Sequence, residues 1–206
     1  MKSIKLLLVI VTSLVISACA TLSKSECKNA DWQIIGLEDG SSGRLISYIK
    51  NHRKACAEYG VTPNIDRYQD GHAEGLTQFC TAESGFVQGK QGRHYNGVCP
   101  IELRGNFLYG YERGRELYLL QSEINQNSSQ IKKNNALLED IRVSIDELEL
   151  KLVSKTGSTE ERLAMLQELK KQQTSYTLIE SEIHNLELES ARMQGEYEAL
   201  DSHHGF

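Results

Sequence analysis

Along the C-terminal half of the chain, apolar residues return with a period of seven. Leu117, Ile124, Ile131, Leu138, Ile145 and Leu152 form an unbroken series, with Leu120, Ile141 and Leu148 three residues after members of it. Such spacing lays one apolar seam along a helix and is the heptad pattern of paired helices. Past Gly157 a second seam begins, in which Leu169, Tyr176, Ile183 and Tyr197 alternate with Ile179, Leu186, Met193 and Leu200. Between the seams, "KTGST" offers Gly157 as a left-handed stop and Ser158 with Glu161 as the capping box of a new helix. A single continuous helix is the rival arrangement, and a stop followed by a fresh cap argues against it. Folding the chain about Gly157 sets Leu148 beside Leu166, Leu138 beside Tyr176 and Leu117 beside Tyr197. The pattern predicts a long antiparallel coiled-coil helical hairpin over residues 111–201, turning near 155–158, with arms of ~40 residues and ~60 Å at 1.5 Å per residue. Asn127 and Asn134 put polar groups into the first seam, where such residues set register or partner number at some cost in stability. They also mark places where the hairpin is loose or another helix docks.

Before residue 110 the pattern is different. Leu45, Ile49, His52, Cys56 and Tyr59 recur at helical spacing, with Ser41 or Ser42 before them and Gly60 then Pro63 after, which predicts a helix over 43–59. Tyr68, His72, Leu76 and Phe79 make one stripe of a second short helix, 66–80, and Gly71 with Gly75 make another. Two glycines inside a helix cost ~1 kcal/mol each relative to alanine, so a close contact is expected there, the preceding helix being the candidate. "CTAESGFVQGKQGRHYNGVCP" reads as a glycine-punctuated loop with cysteine at both ends and little core of its own.

Composition sharpens the division. Thirteen of the 16 glycines lie between Gly36 and Gly114, and no proline follows Pro100. Residues 19–110 carry ten basic and ten acidic groups, whereas 111–206 carry eleven and eighteen, a net of −7. That acidic surface repels nucleic acid. The fold class is therefore mainly α: a small disulfide-stapled, glycine-rich helical or irregular domain over 26–110, then the hairpin, then a disordered tail over 202–206 that contains His203 and His204.

The N-terminus has Lys2 and Lys5, an apolar run from Leu6 to Ile16, and the small residues Ser17 and Ala18. Charge, core length and junction are those of an export signal, and the run is shorter than the ~20 residues a membrane-spanning helix needs. Ile16-Ser17-Ala18-Cys19 resembles the lipobox of bacterial lipoproteins. The resemblance implies removal of residues 1–18, lipidation of Cys19, with palmitate among its acyl chains, and a tether over 19–25. Ala20 in place of the aspartate that retains such proteins at the inner membrane implies the outer membrane, facing the periplasm. Several acyl chains anchor stably where one does not. Setting Cys19 aside leaves Cys27, Cys56, Cys80 and Cys99, an even number for an oxidising compartment. Three pairings are open, and the sequence-local one, Cys27 with Cys56 and Cys80 with Cys99, is preferred. Without a C-x-x-C pair, and with spacings of 29, 24 and 19 residues, a zinc site is not expected.

Trp32, Gly36, Asp39-Gly40, Gly43, Cys56, Gly60, Pro63, Tyr68, Gly71, Gly75-Leu76, Cys80, Gly85, Gly89, Gly92, Tyr95 and Cys99-Pro100 follow an order similar to that of a family of proteobacterial envelope lipoproteins, the domain-of-unknown-function 2799 family. The resemblance covers about residues 26–115. It implies an envelope location and no catalytic or ligand-binding residue.

Candidate chemistry is sparse. Asp70, His72 and Glu74 in "DGHAE" point in different directions on a helix. No G-x-S-x-G elbow or P-loop occurs, so no catalytic residue, metal or cofactor is expected. Seven of nine tyrosines precede residue 120. Rigid aromatic faces beside polar groups suit glycan or peptide recognition, with Tyr95, Arg93 and His94 as the exposed candidates and peptidoglycan as the nearby glycan. The leading expectation is a non-enzymatic, lipid-anchored envelope factor whose acidic hairpin docks a protein partner, through positions such as Asn127 and Asn134. The alternative is a glycan-binding lipoprotein that uses the tyrosine-rich domain.

Overall fold

A computed structural model describes residues 22–154 and 157–202. The expected export signal, Cys19, the turn residues 155–156 and the tail from 203 lie outside the described residues. The chain divides into two units, the first holding the described residues up to 89 together with 93–112, the second holding 90–92 and the described residues from 113 on. Each is described by itself.

In the first unit, a capping box of Ser23 and Glu26 starts α1, Lys24–Lys28, inside the stretch expected to be tether. Asp31 then accepts from the Gln33 and Ile34 amides and starts α2, Trp32–Ser41. Apolar spacing does not reveal α2, because Gly36 and Gly40 occupy its buried face. The helix predicted over 43–59 is shorter than expected: a 3-10 turn, Ile46–Tyr48, leads into α3, Ile49–Ala57. The cause is local, since Ser41 and Ser42 end α2 rather than start α3, Gly43 reverses the chain at φ +68°, and Leu45 is extended. Asn64 caps α4, Ile65–Phe79, close to the expected bounds.

The stretch expected to be an irregular loop contains a helix, α5, Ala82–Lys90, whose first turn Thr81 caps through the Ser84 amide at 3.1 Å. Close backbone contact makes it possible. An added methyl at Gly85 would overlap the Phe107 carbonyl, and one at Gly110 the Ala82 carbonyl. The same reciprocal contact joins α2 to α4. Methyls at Gly36 and Gly40 would overlap the carbonyls of Tyr68 and His72, and methyls at Gly71 and Gly75 those of Gln33 and Leu37. The tight packing inferred at Gly71 and Gly75 is thus real, but its partner is α2 and not the preceding helix, because Gly36 and Gly40 bare the α2 backbone. Small residues four apart let two helix backbones touch and gain Cα–H···O contacts.

The described cysteines pair as Cys27–Cys56 and Cys80–Cys99, with Cα separations of 5.4 and 5.6 Å, the sequence-local connectivity. Each bridge sits in its own small core. Cys27, Cys56, Trp32, Ile49 and Tyr68 form one, and Cys80, Cys99, Leu76 and Phe107 the other.

Pro100 starts α6, Ile101–Val153, by accepting from the Leu103 and Arg104 amides. This helix begins ten residues before the arm expected from the heptads, and at ~1.5 Å per residue its 53 residues span ~80 Å. In the second unit it is followed by α7, Thr159–Ser202, with Gly157 at φ +108°. The predicted capping box is present: the Ser158 amide donates to Glu161 at 2.7 Å and the Glu161 amide to Ser158 Oγ at 3.2 Å. Helices α6 and α7 form a hairpin, with Leu117, Ile141, Ile183 and Met193 buried. Asn127 Nδ2 donates to Glu189 at 3.5 Å, and Leu117 and Tyr197 line one cleft, which is the antiparallel register that folding about Gly157 predicts. The apolar pairing thins near the turn, where Leu166 is 51 % exposed.

Two glycines of the first unit should respond oppositely to alanine. Gly71→Ala collides with the Gln33 backbone and should cost roughly 1–3 kcal/mol or more. Gly105→Ala, with open space around it, should stabilise by up to about 1 kcal/mol through helix propensity. Urea unfolding followed by circular dichroism measures both.

Candidate functional site

Four elements of the first unit bring polar side chains to one buried point. Asp39 lies near the end of α2, Arg44 follows the Gly43 reversal, His52 sits on α3 and Tyr68 on α4. Asp39 is 4 % exposed, His52 3 % and Tyr68 fully buried. The Asp39 carboxylate accepts from His52 Nε2 at 2.7 Å, from the Tyr68 hydroxyl at 2.7 Å and from Arg44 Nη1 at 2.8 Å. The Arg44 amide also donates to the Asp39 carbonyl, at 2.9 Å. One turn beyond Tyr68, His72 donates from Nε2 to the Arg44 carbonyl at 2.7 Å. The Arg44 guanidinium lies 4.2 Å from the Tyr48 ring centroid, and that ring meets His52 edge-on at 5.2 Å.

Burial by itself would raise the Asp39 carboxyl, but the hydrogen bonds from His52 and Tyr68 and the charges of His52 and Arg44 outweigh it and hold the group below the usual aspartate range. Tyr68 is pushed the other way, far above the usual phenol range, by burial first and then by its bond to the Asp39 carboxylate. A buried ionised carboxylate is tolerated only when donors saturate it, and here three do. His52 Nδ1 is buried without a partner.

A carboxylate–imidazole pair is half of a general-base relay. Here both members are sealed from solvent, so the arrangement acts chemically as a latch that fastens α2, α3 and α4. Among the described residues, no group of three or more His, Cys, Asp or Glu side chains is placed to hold a metal ion.

The region after Cys80 repeats this construction with different side chains. The spacing G-x3-G-x2-G-R occurs at Gly36–Arg44 and again at Gly85–Arg93. Gly43 and Gly92 share φ +68°, and each lies against a ring, Phe79 for the first and Tyr118 for the second. The Arg93 amide donates to the Gln88 carbonyl at 3.0 Å and its guanidinium to Gln88 Oε1 at 3.3 Å, as Arg44 does with Asp39. The Tyr111 hydroxyl donates to the Arg93 carbonyl at 2.7 Å, as His72 does to that of Arg44. Phe107 takes the place of Tyr68. The second copy keeps the backbone contacts and discards the buried charge.

The residues expected to form sites are dispersed. Tyr95 is half-buried rather than exposed: its ring centroid lies 4.6 Å from that of Phe107, and its hydroxyl accepts the Cys99 amide at 3.1 Å. It serves the second core, leaving Arg93 and His94 exposed beside it. Asp70 and Glu74 are exposed while His72 is buried, so "DGHAE" does not converge. Asn127 reaches Glu189. Asn134, 5 % exposed, accepts from Gln130 Nε2 at 2.9 Å and leaves its own Nδ2 unpaired. Asp39, Arg44 and Tyr68 were not apparent as a cluster from sequence. The repeated glycine spacing is the signal that singles out Asp39, because aligning its copies sets Asp39 against Gln88.

Residues 31–116, or 86 of 206, match the model of a family described as a protein of unknown function (DUF2799). The match takes in both glycine copies and stops where the hairpin begins. No curated protein and no solved structure matches the chain.

The latch has a pH signature. Because the Asp39 carboxyl is depressed on folding, its contribution is complete above the unfolded value near pH 4 and is lost as pH falls through the folded value. Asp39→Asn should cost about 3 kcal/mol at pH 7, and its penalty should shrink as the pH falls below about 4. Urea midpoints of both proteins at pH 7 and pH 3 test this.

Proposed function

We propose that this chain is a non-enzymatic envelope lipoprotein, fastened to the outer membrane through acyl chains on Cys19, whose acidic hairpin docks a protein partner. The N-terminal pattern and the lipobox-like Ile16–Cys19 support the anchor. Two disulfides suit an oxidising compartment. Among the described residues no helix is long and apolar enough to cross a membrane, and an acyl anchor does not require one.

The observation that carries the docking reading is the mismatch between the two arms. From Tyr176 to Ser202, α7 has seven acidic residues and one basic residue, Arg192. The stretch of α6 that faces it, residues 112–138, carries four basic and three acidic residues, which leaves most of that negative charge unbalanced. Leu178 and Leu188 are 66 % and 58 % exposed on the same helix, among Glu180, Glu182, Glu187 and Glu189. Apolar side chains ringed by uncompensated carboxylates fit a partner surface that is basic around an apolar centre, where charge complementarity speeds encounter and buried leucines slow release.

Crosslinking in intact cells followed by mass spectrometry should recover one dominant protein joined to α7, and Leu178→Asp with Leu188→Asp should abolish it. Recovery of no partner under several growth conditions would count against docking. Fractionation tests the anchor separately: the chain should sediment with membranes and Cys19→Ser should release it.

A further inference from the structure

Within the second unit a cleft of about 220 Å³ opens beside Lys90, at the end of the hairpin away from Gly157. Leu117, fully buried, belongs to its lining, together with Tyr118 and Tyr197 from the two arms and Gln121 and Asn125 from α6. The volume is below the ~300 Å³ at which drug-sized sites begin, and suits one six-membered ring.

The lining is fixed in advance. Gly92, in its left-handed conformation, lies against the Tyr118 ring. Arg115 stacks 4.9 Å from that ring's centroid and donates to the Gly92 carbonyl at 3.5 Å. Lys90 pairs with Asp201 at 2.5 Å and lies 5.7 Å from the Tyr197 centroid, so its charge is already neutralised. Gln121 Nε2 donates to Asn125 Oδ1 at 3.2 Å. That bond holds the two amides together and leaves the Gln121 oxygen and the Asn125 nitrogen to bond something else.

The sequence around the cleft points the same way. Eight of the ten residues from Gln121 to Gln130 carry an amide or hydroxyl, and one is charged. Paired helices ordinarily line their flanks with Glu and Lys. Amides and hydroxyls are weaker at solubilising a rod but supply paired donors and acceptors in fixed geometry. With aromatic rings on both arms, they match a ligand that has many hydroxyls, an apolar C–H face and no charge.

We propose that this cleft binds one neutral pyranose ring of a glycan, with Tyr118 and Tyr197 against its C–H faces and Gln121 and Asn125 bonded to its hydroxyl or acetamido groups. The site is separate from the exposed leucines of α7 and does not depend on the docking reading. The test titrates the purified full chain with the tetramers of N-acetylglucosamine and of glucose, read by saturation-transfer NMR and calorimetry. Either tetramer should bind with Kd of about 1 mM or tighter, the affinity expected of a single ring. Asn125→Ala, at an exposed position, should weaken binding about tenfold with helicity unchanged, and Tyr118→Ala should do the same. Preference for the N-acetylated tetramer would assign the amides to the acetamido group, and equal binding would assign them to hydroxyls. No binding of either tetramer, or binding indifferent to Asn125→Ala, overturns the proposal.

Discussion

The first unit depends on one physical constraint, which is that two helix backbones approach until carbonyl oxygens of one touch α-carbons of the other. Gly36 and Gly40 on α2 and Gly71 and Gly75 on α4 make this contact reciprocal, so no side chain separates the helices. Glycine is a poor helix former. The cost is offset because backbone contact replaces side-chain packing in a domain whose cores are only a handful of residues each. The disulfides act on the same deficit from the unfolded side, by restricting the open chain.

Once α2 and α4 touch, the residues beside the glycines have few places to go. Asp39 is driven inward one residue before Gly40, and Tyr68 is driven inward three residues before Gly71. His52 from α3 and Arg44 from the reversal complete the donors that a buried carboxylate requires. The second copy solves the same packing problem with Gln88 and Phe107, so the helix contact can exist without a buried charge. The polar latch is therefore a property of the first copy rather than of the construction, and it ties α3 to a pair of helices that backbone contact already holds.

The hairpin was the most legible part of the sequence. Heptads from Leu117 to Leu152 and the Ser158–Glu161 capping box act locally or at fixed period, so periodicity alone recovers them. The approach at Gly71 and Gly75 was legible as a cost needing an explanation, but its partner α2 was hidden because Gly36 and Gly40 erase the stripe that marks a buried face. The same erasure made α5 look like a loop. Sequence offers Tyr95 as an exposed binding residue because it does not show that Phe107 lies against it. Asp39, Arg44, His52 and Tyr68 converge from four elements and leave no trace in hydrophobic periodicity. Only the repeat of G-x3-G-x2-G-R, compared copy against copy, singles out Asp39.

Native-state hydrogen exchange resolved by mass spectrometry tests most directly whether glycine-mediated contact is what holds the first unit together. Amides of α2 and α4 should be its most protected, exchanging only through opening of the whole unit and together with one another. Rapid exchange in α2 while α3 stays protected would contradict the account, since the Cys27–Cys56 disulfide would then be the unit's true support.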